Sequence, residues 1–166
     1  MDNRPPSPAS ILVLGLGNPL LSDDGVGPAI LESLRRQHGV QDGRVEFLDG
    51  GTQGVSLLAC LGGRRALIIL DALQLGKEPG SVSVLDARQV HELGTRRSTT
   101  AHEGNAGELL AAAAILGELP ERVFIVGVEP QRLSTGIGLS EPVQAAVPHA
   151  AARARRLIAA AEAIPS

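Results

Sequence analysis

Four ionisable side chains stand where α/β proteins place their chemistry: Asp24, Asp49, Asp71 and His102. Asp71 directly follows five apolar residues, Ala66-Leu67-Ile68-Ile69-Leu70. An unpaired buried carboxylate is costly, so Asp71 reads as facing a site at the carboxyl edge of a sheet in preference to capping a turn. Asp24 closes Ser22-Asp23-Asp24, just past an apolar run and a glycine turn, and Asp49 ends the alternating segment Arg44-Val45-Glu46-Phe47-Leu48 against Gly50-Gly51. His102 sits in a loop of small polar residues, Ser98 to Gly107, ahead of an Ala- and Leu-rich stretch. Two carboxylates and an imidazole suit an open site for a borderline divalent metal, with the remaining positions left to water or substrate. The same residues serve equally well as an acid/base site without a metal. They come from distant segments, so their spacing alone is no metal signature.

The element that must position Asp24 is Ile11 to Gly27, ILVLGLGNPLLSDDGVG. Its apolar run predicts a strand buried on both faces of a parallel sheet. Gly15-Leu16-Gly17-Asn18-Pro19 predicts a tight turn. A helix should follow, with Val26, Ile30, Leu31 and Leu34 on its apolar stripe. Such a strand–turn–helix unit puts the acidic pair beyond the strand's carboxyl end, where open α/β sheets bind ligands. A dinucleotide fingerprint would require glycine where Leu20 stands, and two carboxylates disfavour any anion. Ser22 or Asp23 is expected to cap the helix.

Further along, Gly54 to Leu61 predicts a short helix. Ser81 to Leu85 alternates, and the connection before it, Leu73 to Gly80, is too short for a helical crossover. That segment should therefore be an antiparallel edge strand. Asp86 to Arg97 reads as polar and irregular, with room for a short helical turn, and His91 on the surface. Arg122 to Val128 is a last, central strand; Gln131 to Leu139 is a glycine-bearing loop. Ser140-Glu141-Pro142 starts a long C-terminal helix in which Pro148 should introduce a kink, with His149 on its solvated face. The resulting class is α/β, with helices on both faces of one sheet.

Composition excludes several functions. Among 166 residues the net charge is −3, and two Phe with no Trp or Tyr offer no base-stacking platform, so nucleic acid is not expected as a partner. The single cysteine, Cys60, allows neither an internal disulfide nor a cysteine metal cage, and reads as a small packed residue. No apolar run reaches membrane-spanning length, so no membrane insertion is expected. Residues 1–10 read as a flexible leader and 11–164 as one domain, with a soluble, cytoplasmic protein expected.

The blocks GLGNPLLSDDGVG, LDGGT, LIILDAL, the His102 loop and GVEPQRLSTGIGLSEPV, in this order, resemble the hydrogenase maturation protease family. The resemblance runs from about Ile11 to Ile164. It implies a three-layer α/β/α sandwich around a twisted, mainly parallel five-stranded sheet with one antiparallel edge strand. It also implies an endopeptidase that trims the C-terminus of a nickel–iron hydrogenase large-subunit precursor after nickel insertion. Matching blocks place the metal-reading, catalytic trio at Asp24, Asp71 and His102; Asp49 matches a further family aspartate. The nickel is implied to arrive in the precursor, with no permanently bound cofactor. Some members carry glutamate at the place of Asp24, whose shorter arm holds its carboxylate about one methylene further back. Two other activities use the same trio: a non-proteolytic checkpoint or chaperone that binds a metallated partner, and a metal-dependent hydrolase of small peptides or amides.

Overall fold

The first apolar run, ILVLGL, forms strand β1 (Ile11–Leu16), all six residues buried. Side chains alternate along it: Ile11 and Val13 enter one hydrophobic core, Leu12, Leu14 and Leu16 the other. The computed structural model describes residues 9–38, 43–96 and 106–163. Within them β1 is flanked by β2 (Val45–Gly51) and β3 (Ala66–Ala72), both parallel to it. β5 (Arg122–Val128) adds in parallel to β3, and β4 (Val82–Asp86) pairs antiparallel with β5 at the edge, Val82 opposite Val128. The sheet order is β2-β1-β3-β5-β4. The expected five-stranded sheet with one antiparallel edge strand is the one observed.

Helices α1 (Val26–His38) and α4 (Glu141–Glu162) cover one face, burying Val26, Ile30 and Leu34 with Val143, Ala150, Ala154 and Ile158. The other face is covered by a 3₁₀ segment (Gly54–Cys60) through Leu57, by α2 (Ala87–Arg96) through Ala87 and Val90, and by α3 (Ala106–Leu116) through Leu109, Leu110 and Ala113. One reading from sequence needs correction. Asp86 onward is helical because Asp86 Oδ1 accepts the Gln89 N–H at 2.9 Å while Gln89 Oε1 accepts the Asp86 N–H at 3.0 Å, a reciprocal capping box. α4 extends over 22 residues with Pro148 inside it, and its alanines are buried in the core on both sides of the proline. Among the described residues no helix is long and apolar enough to cross a membrane.

Following β1 the chain turns into α1, while β3 lies on β1's other side, so a crevice opens between the carboxyl ends of β1 and β3. α1 starts in contact with those ends. A Cβ on Gly27 would stand 2.1 Å from the Leu16 carbonyl oxygen and 2.4 Å from that of Leu70. Only glycine permits this approach. Gly27→Ala should lose about 3 kcal/mol in urea unfolding. Gly62→Ala, whose added Cβ meets nothing nearer than Glu118 Oε2 at 3.5 Å, should change stability by less than about 0.5 kcal/mol.

Candidate active site at the carboxyl edge of the sheet

Asp71 is the penultimate residue of β3, 6% exposed. Its neighbour in register on β5 is Gly127, whose missing side chain leaves room taken by Leu73. The Ala72 N–H donates to Asp71 Oδ1 at 2.8 Å, and the Ala106 N–H, first in α3, also donates to this carboxyl. Burial pushes the Asp71 carboxyl up, the nearby Asp24 carboxylate adds to the rise, and the two N–H donors oppose it, leaving a pKa of about 7. The fold thus brings Asp24 and Asp71 together as an interacting pair.

Asp24 is half-buried in a 3₁₀ turn (Ser22–Gly25) that leads into α1. Its Oδ2 accepts the Asn18 N–H at 2.7 Å, and its own N–H donates to the Leu21 carbonyl at 3.2 Å. Gly17 (φ 128°) makes this possible, since a Cβ there would lie 1.8 Å from the Asp24 carbonyl oxygen. Asp49 is elsewhere. Its side chain is exposed, and Oδ1 accepts the Gly51 N–H at 3.0 Å, closing a local turn. It pairs in register with Gly15, which in turn pairs with Leu70, so strand alternation directs Asp49 and Asp71 to opposite faces. His102 lies outside the described residues. Among those described, no three His, Cys, Asp or Glu side chains converge as a metal-holding group.

Asp23 departs from the expectation of a helix cap. It is fully buried, and its carboxylate gathers the loop after β5: Oδ2 accepts the Gln131 N–H at 2.8 Å, the Arg132 N–H at 2.9 Å and the Ser140 Oγ–H at 2.8 Å, while Oδ1 accepts the Ser140 N–H at 2.6 Å. Burial pushes the Asp23 carboxyl up, but the donors from Ser140, Arg132 and Gln131 outweigh it and hold it below the ordinary carboxylate value. Ser22 beside it adopts φ 52°, rare for a non-glycine residue, with its N–H on the Gly136 carbonyl (2.8 Å) and Oγ on the Ser134 carbonyl (3.0 Å). Glu129, also buried, pins another loop by accepting the N–H groups of Leu75 (2.7 Å) and Gly76 (3.2 Å). Glu129 follows an apolar strand as Asp71 does, so the same sequence signal marks a loop anchor in one case and a pair of interacting carboxyls in the other.

Chemically, the pair presents two oxygen ligands, one of them able to hold or release a proton near neutral pH. An approaching cation would favour the charged form of both carboxyls, and an anion would be repelled. A carboxyl near neutrality is also suited to moving protons during hydrolysis.

The model of the family described as hydrogenase maturation protease matches residues 28–156, most of the chain, beginning just after the Asp24 turn. The hydrogenase 2 maturation protease of Escherichia coli (strain K12) is 39% identical over 138 residues, covering 82% of this chain and 83% of that protein. The solved structure of hydrogenase maturating endopeptidase HybD from E. coli superposes with a TM-score of 0.80 at 35% identity, over 89% of this chain and 91% of that one. The NiFe hydrogenase maturation protease HybD from Thermococcus kodakarensis gives 0.70 at 25% identity, over 89% and 97%.

Two variants test these geometries. Asp71→Asn removes a carboxyl whose ionisation is suppressed in the folded state. A raised folded pKa means that the native state binds the extra proton, so wild-type stability falls as pH rises from about 4 through about 7 and then levels. The Tm of Asp71→Asn minus that of wild type should therefore be larger at pH 8 than at pH 4.5, read by calorimetry; an equal difference at both would contradict the buried pair. Asp23→Asn sets amide hydrogens against N–H and O–H donors and should cost about 3 kcal/mol at pH 7. Because the Asp23 pKa is lowered, its stabilisation is complete above the ordinary carboxylate pKa and is lost as pH falls through the lower folded value. The difference between wild type and Asp23→Asn in denaturant midpoint should shrink accordingly in acid.

Proposed function

From membership of the hydrogenase maturation protease family, to which this chain belongs, we propose that it removes the C-terminal extension of a nickel–iron hydrogenase large-subunit precursor after nickel insertion. It is a peptidase, and the bond it breaks is a peptide bond. The observation that carries the rest is the Asp24–Asp71 pair at the crevice between β1 and β3. Nickel is part of the substrate in this reading, carried by the precursor, and the chain needs no resident cofactor. Two carboxylates and an imidazole match the ligand preferences of such a borderline divalent ion. His102, four residues before Ala106 in the sequence, supplies the imidazole. The reaction takes place in the cytoplasm.

In the cleavage step, precursor nickel drawn to Asp24, Asp71 and His102 brings the peptide beside the metal into the crevice. Water adds to the scissile carbonyl carbon as a carboxylate, Asp24 or Asp71, accepts its proton. The C–N bond then breaks as that proton passes to the leaving amine, which departs with the extension. A precursor without nickel lacks the cation that offsets two neighbouring carboxylates, so it is not held in position. Proteolysis is favoured over a checkpoint without cleavage because the similar proteins are named proteases and endopeptidases.

Asp71→Asn keeps the shape of the side chain and removes a carboxyl whose ionised form is disfavoured by burial and by Asp24, so the fold should persist. Its initial rate of extension removal from nickel-loaded precursor should fall by about 100-fold or more, followed as a mobility shift of the large subunit. Unaltered processing by this folded variant would contradict the assignment.

A further inference from the structure

Two large apolar side chains on segments joined to the Asp24 turn are left in water. Leu20 is 61% exposed and Ile137 is 86% exposed. They belong to segments 110 or more residues apart that the fold fastens together: the Gly136 N–H donates to the Leu20 carbonyl at 2.9 Å, the Ser22 N–H to the Gly136 carbonyl at 2.8 Å, and Leu21 and Gly136 form a β-bridge. Asp23 secures the same loop through Gln131, Arg132 and Ser140. The joined segments reach the site directly. The Leu20 N–H donates to Asn18 Oδ1, the Asn18 N–H to Asp24 Oδ2, and the Asp24 N–H to the Leu21 carbonyl.

The geometry points to Leu20 and Ile137 as the rim on which apolar side chains flanking the precursor's scissile bond dock. The inference rests on the peptidase reading and names how that substrate is held. Three observations select this occupant. A polypeptide cut at Asp24 and Asp71 must extend past the scissile bond on both sides, and Leu20 lies on the turn that holds Asp24. The segments 18–22 and 133–139, NPLLS and LSTGIGL, contain no charged residue, so they offer nothing to a charged tail and favour an uncharged, apolar one. Their backbones are also fixed before substrate arrives, which lowers the ordering cost of binding. Apolar side chains held rigidly in solvent gain from being covered, at a strength that depends on the area removed from water.

The test is steady-state cleavage of nickel-loaded large-subunit precursor by wild type, Leu20→Ser, Ile137→Ser and the double variant, all as full-length chains. KM should rise about tenfold for each single change and about 100-fold for the double, with kcat within about threefold of wild type. The conservative pair Leu20→Met and Ile137→Leu should restore KM. Ile115→Ser supplies a control, since Ile115 is 84% exposed but lies near the far end of α3; its KM should equal that of wild type. An unchanged KM in the double variant, or an equal rise in Ile115→Ser, would overturn the rim. Failure of wild type itself to cleave would overturn the peptidase reading and the rim with it, which separates the two claims.

Discussion

Placing a buried carboxyl beside a second carboxyl is the unfavourable arrangement on which this site turns. Desolvation and the charge of Asp24 both raise the Asp71 pKa, and only the Ala72 and Ala106 N–H groups lower it. Packing must supply what electrostatics does not. β3 and β5 hold Asp71 in register opposite Gly127, and Gly27 lets α1 begin in contact with the ends of β1 and β3. Gly17 then lets the Asp24 turn fold back over the end of β1. A site held this way gives up stability to keep two carboxyls side by side.

The two ends of the sheet divide the work. At the amino end, Arg64 donates to the carbonyls of Cys60 (3.0 Å) and Ala9 (2.7 Å) and to Glu46 Oε2 (2.6 Å), with only 6% of its side chain exposed. Arg65 reaches the Ala161 carbonyl at 2.6 Å, tying β3 to the end of α4. These charge-assisted bonds close the structure with opposite charges and carbonyl acceptors. At the carboxyl end the loops are tied by carboxylates, Asp23 and Glu129, to backbone N–H groups. Those anchors have their donors within the chain, whereas Asp71 has a second carboxylate, Asp24, as its charged neighbour.

Much of this was readable in the chain itself. The buried strands appear as apolar runs, the short Leu73–Gly80 link implies an antiparallel edge strand, and Asp71 announces itself by following five apolar residues. α2 also carried a legible signal, Asp86 and Gln89 three apart, but its polarity hid the helix. The role of Asp23 was not legible, because its partners lie 108 to 117 residues away and no local pattern predicts them. Nor does sequence distinguish Asp71 from Glu129: both end apolar strands, and only their neighbours in space differ. His102 lies outside the described residues, so its place rests on its position in the sequence and on the family resemblance.

The central claim is that the acidic crevice reads nickel borne by the substrate. It is tested most directly by presenting one large-subunit precursor to the wild-type chain in nickel-loaded and nickel-free form, with chelator-treated enzyme, and following release of the C-terminal extension by mass. The account predicts release from the loaded precursor alone. Equal release from both forms would contradict it and would assign Asp24 and Asp71 to peptide hydrolysis without metal recognition.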